Sequence, residues 1–163
     1  MLEERVKEIL STIYDPEIPA LSVIDLGMIT AIVPQSENAV VVHMIPTYAA
    51  CPATSFIQKM IKEQLQEKLA DIHCEVVVDT DIHWNTNRIS ELGKQRLKEA
   101  GIAPPPKVTS EVDREMLLGI PCPRCGGVNT FLQIPFGYTL CRAIHFCKDC
   151  NQSFEQFKPV AND

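Results

Sequence analysis

The sequence predicts a small α/β (α+β) domain, a short sheet with helices packed on one face in the order α-β-β-α-β-α, followed by a smaller β-ribbon unit. Three observations predict it. Apolar residues alternate between helical and strand periods over the first hundred residues; three consecutive prolines interrupt the chain at 104–106; and five of the seven cysteines lie beyond them. The expected division is an α/β domain over residues 1–103, a Pro-rich linker over 104–120 and the ribbon over 121–160.

Each element has its own signal. Val6, Ile9, Leu10 and Ile13 recur at i, i+3, i+4 and i+7, the stripe of an amphipathic helix. It must stop before Asp15, because Pro16 disfavours helical geometry at the residue preceding it. Strand-like runs follow at 28–33 and 39–44, separated by the turn-prone segment 34–38. Ile57, Met60, Ile61, Leu65 and Leu69 mark a second helix, and the valine-rich run 74–78 a third strand. A last helix is expected over about 90–100, with Gly101 where a C-terminal glycine belongs. Trp84 is expected to anchor the loop before it.

Composition narrows the function. At 163 residues and 45% hydrophobic, the chain has enough apolar material for a real core. No apolar run approaches the roughly 18–20 residues that span a membrane. The first ten residues, MLEERVKEIL, lack the apolar centre of a signal peptide. A cytoplasmic location with reduced cysteines is therefore expected, which favours metal or thiol chemistry over disulfides. Residues 1–103 carry nine basic and fifteen acidic side chains, a net of −6, whereas residues 104–163 carry six of each. Neither part offers the basic face that nucleic acid requires, and no membrane partner is expected.

The clearest constellation is Cys122-Pro-Arg-Cys125 with Cys147-Lys-Asp-Cys150, two Cys-x-x-Cys knuckles 21 residues apart. That is the spacing of a zinc ribbon, in which each knuckle supplies two thiolates to a tetrahedral ion. A unit this small needs such a staple, having too little core of its own. Gly126-Gly127 supplies a tight turn, and 130–134 and 140–146 read as strands. Four thiolates also suit an iron–sulfur cluster, which stands as the alternative to zinc. Cys141 is a fifth thiol, read either as an extra ligand or as a small buried hydrophobe.

Cys51 precedes Pro52, and proline favours the first helical position, so Cys51 is expected to cap the second helix. A thiol there faces unpaired N–H groups and the positive helix end, both favouring thiolate. Asp15, Glu17 and Asp25 flank the turns before the sheet and are expected near the same rim. Carboxylates beside a thiolate disfavour it unless a cation lies between them, which points to a transient metal. A cysteine-dependent enzyme, with His43 as base and Asp25 as orienter, is a weaker competing reading. Cys74 has no partner motif and reads as packing.

At larger scale, residues 15–28 (DPEIPALSVIDLGM) and 47–54, with Cys51-Pro52 inside, resemble the signatures of the SufT-like iron–sulfur assembly domain. Arg88-Ile89-Ser90 and Gly101-Ile102-Ala103-Pro104-Pro105 resemble the C-terminal part of one branch. With the ribbon, Thr139-Leu140-Cys141-Arg142 and Phe154-x-x-Phe157-Lys158-Pro159, the whole arrangement resembles the PaaD (PaaJ) family associated with phenylacetyl-CoA ring epoxidase. The resemblance implies an accessory protein of phenylacetate catabolism with no catalytic residues of its own. It implies help in maturing or assembling the metal centres of an oxygenase and a flavin and [2Fe–2S] reductase, with iron–sulfur assembly proteins as further partners. It also implies that Cys51, with Asp25 and Glu17, forms a transfer site for a transient iron–sulfur cluster. A non-catalytic adaptor role is the second reading, and self-association is left open.

Overall fold

The computed structural model describes residues 1–47, 53–109, 111–137, 139 and 141–161. By internal contacts the chain divides into two compact units, residues 1–84 with 88–90, and residues 85–87 with 91–163.

The first unit begins with α1 (Leu2–Leu10), whose buried Val6 and Leu10 lie on the predicted stripe. It ends earlier than the stripe does. Ser11 and Thr12 turn their hydroxyls back onto the carbonyls of Glu8 and Ile9, competing with continuation of the helix. Strands β1 (Ile29–Ser36) and β2 (Ala39–Met44) pair antiparallel, and β3 (His73–Val78) pairs parallel to β2, giving the order β1-β2-β3. The expected five-residue turn contracts to two, because Ser36 still pairs with Ala39. Pro34 is tolerated inside β1 because that strand is at the sheet edge.

Helix α2 (Thr54–Lys68) makes the crossover from β2 to β3 and buries Ile57, Ile61 and Leu65. The helix packs on β3, and the sheet face carrying Val40, Val42, Met44, Cys74 and Val76 is buried. The opposite sheet face, with Val41 and His43, is half-exposed. Over the described residues Ala53 occupies the N-cap position of α2, and its carbonyl accepts the amide of Ile57. Cys51, the expected cap, lies outside the described residues.

Gly27 and Trp84 fasten the turns of this unit. Gly27 has φ +67°, and a Cβ there would overlap the Arg88 carbonyl. Arg88 in turn donates from Nε to the Gly27 carbonyl at 3.0 Å. Trp84 is buried and donates its indole N–H to the carbonyl of Leu26 at 2.6 Å, the anchoring role expected of it.

The second unit contains α3 (Glu91–Glu99), β4 (Ile102–Ala103), β5 (Thr130–Ile134), β6 (Arg142–Cys147) and β7 (Gln152–Phe157). The sheet runs β4-β7-β6-β5, with β5 at one edge. Here contacts divide the chain before residue 103. Helix α3 packs on β4, and β4 pairs with β7, which ties both to the ribbon. The Pro-rich stretch is likewise held down. Pro105 and Val108 are buried, and the Asn87 side chain bonds both the N–H and the C=O of Val108. Strand β7 is an addition to the two expected ribbon strands. No described helix is long and apolar enough to cross a membrane.

Candidate metal centre

The ribbon strands bring the two knuckles together. In the first, the amide of Gly126 donates to the Cys122 carbonyl and the amide of Cys122 to the Gly127 carbonyl, each at 2.9 Å. Gly126 sits at φ +75°, a conformation that side-chain-bearing residues rarely adopt. The second knuckle follows β6 directly and closes at Asn151, which has φ +56°. Its Lys148 amide donates to the Asn129 carbonyl, locking it to the segment before β5.

The result is one cluster. The sulfurs of Cys122, Cys125, Cys147 and Cys150 all lie within 4.8 Å of one another. Two cross-knuckle pairs are resolved, Cys122 to Cys150 at 3.8 Å and Cys125 to Cys147 at 3.6 Å. Thiolates held about 2.3 Å from a single ion at tetrahedral angles stand about 3.8 Å apart. The four sulfurs therefore fit one tetrahedral ion.

Their electrostatics call for a cation. Burial pushes the Cys122 thiol up, but the amides of Cys125 and Arg124 and the neighbouring thiols outweigh it, bringing it down to about 7. The Cys150 thiol is pushed up to about 12, first by burial, then by its three thiol neighbours and the charge on Cys122. One thiolate forms readily and then opposes the next. A bound dication removes that opposition, and the Gly127 amide, 3.4 Å from the Cys125 sulfur, adds a donor to the developing charge.

The centre is also part of the ribbon core. Cys122 and Cys147 are buried with Ala103, Ile120 and Phe154, and Cys150 packs against them. His145 is fully buried, stacks on Phe154 at 5.3 Å and shares a 2.8 Å hydrogen bond through Nε2 with Gln156. Burial holds this imidazole below its ordinary pKa, with the Gln156 bond acting weakly the other way, so it packs as a neutral ring.

Cys141 does not join the cluster. It precedes β6, whereas Cys147 ends that strand, and six extended residues rise about 20 Å. Its sulfur lies instead 3.0 Å from the Thr139 hydroxyl, in a buried position. Extended backbone is the physical reason that a fifth ligand from Cys141 is not available to this ion.

In the first unit, the expected rim residues have other contacts. Asp15 is buried and its Oδ1 accepts the amides of Glu17 and Ile18 at 2.7 and 3.1 Å. Asp25 is buried; its Oδ2 accepts the Ser22 amide at 3.2 Å and its Oδ1 the Ser90 hydroxyl at 3.4 Å. Both carboxylates thus brace turns, while Glu17 is exposed. Cys74 is buried and its thiol is pushed up by burial, as packing requires.

A different constellation is present on the half-exposed sheet face. His43 Nδ1 lies 3.1 Å from Asp79 Oδ1, and the Thr30 hydroxyl donates to Asp79 Oδ2 at 2.9 Å. The hydrogen bonds from His43 and Thr30 hold the Asp79 carboxyl below the ordinary range. The acid that orients His43 is thus Asp79, not Asp25. The parallel register pairs His43 with Val77, and Asp79 is two residues further on the same face.

Comparison with known proteins gives this geometry a family. Residues 3–78 match the family described as iron–sulfur cluster assembly protein, and residues 105–158 match the PaaD zinc beta ribbon domain. A protein of Escherichia coli (strain K12), described as a putative subunit of 1,2-phenylacetyl-CoA epoxidase, is 35% identical over 152 residues, spanning 93% of this chain and 90% of its own length. An Fe-S protein maturation auxiliary factor of Porphyromonas gingivalis is 32% identical over 89 residues, covering 55% of this chain and 84% of its own. Among solved structures, a DUF59 domain of unknown function from Bacillus anthracis superposes with a TM-score of 0.55 at 25% identity, over 58% of this chain and 90% of that one. A conserved hypothetical protein of Thermotoga maritima gives 0.50 at 26%, over 58% and 92%. With the assembly domain and the four-cysteine ribbon joined in one chain, and the match running through nearly its whole length, the chain belongs to the PaaD family.

Proposed function

We infer that this chain is a cytoplasmic accessory protein of phenylacetate degradation that helps mature or assemble the metal centres of a phenylacetyl-CoA epoxidase. The observation that carries this reading is the near full-length match to a putative epoxidase component, together with a first unit related to an iron–sulfur maturation factor. In this reading Cys51 receives an iron–sulfur fragment through its thiolate and passes it to the oxygenase or reductase. Asp25 serves the site indirectly, by bracing the turn that ends at Gly27, while Glu17 contributes its exposed carboxylate.

The ribbon holds zinc through Cys122, Cys125, Cys147 and Cys150. Two considerations support zinc over an iron–sulfur cluster: the family description of the ribbon, and sulfur spacings that suit a single ion. A polynuclear cluster places iron and sulfide atoms between the thiolates and spreads them further. Zinc there stabilises the fold and keeps the four thiolates unreactive.

The test is a Cys51→Ser chain co-expressed with the oxygenase and reductase of a phenylacetyl-CoA epoxidase. The expected result is a folded protein that retains ribbon zinc but yields oxygenase or reductase deficient in iron. Full metal content and full epoxidase activity would refute transfer through Cys51. A second reading, a structural adaptor, is favoured by the Escherichia coli relative's description as part of an epoxidase. It predicts a stoichiometric complex with the oxygenase by light scattering, indifferent to Cys51→Ser. Iron analysis of anaerobically purified protein, with its visible spectrum, separates zinc from a cluster in the ribbon.

A further inference from the structure

The outer edge of the ribbon has features that its metal centre does not use. Strand β5 is the last in the sheet, so among the described residues one side of its backbone has no strand beside it. Edge strands are usually blunted by charge, proline or cover, because a bare apolar edge recruits another chain. Here β5 reads Thr-Phe-Leu-Gln-Ile, and no charged residue occurs from Val128 to Gly137. Val128, Phe131, Ile134 and Phe136 are all exposed, Val128 by 68% and Phe136 by 61%.

The register places Phe131 and Ile134 on one surface. Phe131 pairs with Phe146 and Ile134 with Ile144, on the face of β6 opposite buried Ala143, His145 and Cys147. The rings of Phe131 and Phe146 are 5.6 Å apart. Two ammonium groups stand at its borders. Lys148 Nζ lies 5.4 Å from the Phe131 ring centre and Lys158 Nζ 3.9 Å from that of Phe136. Among the described residues neither lysine forms an ion pair, whereas Arg142 nearby is matched by Glu155 at 3.2 Å.

We propose that β5 and its apolar face are a docking edge for another protein, taking an extended segment whose apolar side chains alternate with carboxylates. The segment adds as a strand beside β5, its apolar side chains packing on Phe131, Ile134 and Phe146 and its carboxylates reaching Lys148 and Lys158. Charge selects this occupant over a second copy of the chain. Two β5 edges laid together would bring lysines to a strand without carboxylates; Glu155 is already matched by Arg142, and Asp149 sits at the knuckle against Gly127, off the strand. The proposal does not depend on the cluster-transfer reading, since it involves neither Cys51 nor the identity of the ribbon metal.

The test uses the full-length, metal-replete chain and two fluorescein-labelled ten-residue peptides, one alternating Val or Phe with Glu and its twin with Lys for Glu. Anisotropy titration should show the Glu peptide binding at least tenfold more tightly. That preference should be lost in a Phe131→Ser/Ile134→Ser chain and reversed in a Lys148→Glu/Lys158→Glu chain. Both variants must retain wild-type zinc content and circular dichroism, and a single Phe131→Thr variant, milder in the strand, serves if the double one does not fold. Equal binding of the two peptides would overturn the proposal. So would a wild-type dimer that becomes monomeric in Phe131→Ser/Ile134→Ser, which assigns the edge to self-association. Tighter binding of a labelled oligothymidylate than of the Glu peptide would also overturn it, in favour of nucleic acid.

Discussion

The two units reach stability by different routes. In the first, the buried residues are chiefly aliphatic, Ile57, Ile61 and Leu65 of α2 with Val40, Val42 and Val76 of the sheet. In the second, two of the five residues at the centre of the core cluster are cysteines, Cys122 and Cys147, which also face the metal site. Removing a side chain from the first core loses packing. Removing one from the second loses packing and leaves the remaining thiolates mutually repelling.

The largest expected effect comes from breaking that second arrangement. Stripping the metal with a strong chelator, or replacing Cys147 with serine, should unfold the ribbon and leave the first unit folded. Structural zinc sites of this type supply apparent binding energies of about 10–16 kcal/mol, which a core this small cannot replace. Amide spectra should show ribbon signals collapsing while those of β1–β3 persist; an ordered metal-free ribbon would contradict the dual role of its cysteines. Next, Ile61→Ala should cost about 2–5 kcal/mol, because Ile61 is fully buried. Its unfolding midpoint in the first unit should fall while zinc content stays at wild-type level.

Gly27→Ala should cost more than about 1 kcal/mol, since a Cβ meets both an unfavourable φ and the Arg88 carbonyl. If thermal unfolding barely shifts, the turn is more pliable than its contacts imply. The smallest effect belongs to Asp79. Its folded pKa is lowered by His43 and Thr30, so its stabilisation is complete above the ordinary carboxylate range and declines as pH falls below about 4. Asp79→Asn should weaken the first unit slightly at neutral pH and flatten its loss of stability in acid. An unchanged acid profile would remove Asp79 from the account.

Legibility in the sequence follows the same division. Elements whose periodicity serves one buried face were readable: the α2 stripe, the run 39–44 and the helix ending before Gly101 all appear where local pattern places them. The four ribbon cysteines were readable because metal geometry constrains their spacing. What depends on long-range pairing was not. The bond between His43 and Asp79 spans 36 positions and exists only because β2 and β3 run parallel in one register. Strand β7 was missed because Gln152–Phe157 follows a knuckle so closely that its alternation looks like loop. Membership of α3 in the second unit depends on β4, a two-residue strand with no periodicity to detect.

The buried indole of Trp84 has one more consequence. It is the single tryptophan of the chain, and its N–H is tied to Leu26 inside the first unit. Excited selectively, it emits from that unit alone, and the ribbon, with no tryptophan, is silent at the same wavelength. Fluorescence melts will therefore follow one unit, and release of the ribbon metal to a colour-forming chelator the other. The two units can thus be melted in one sample and read separately.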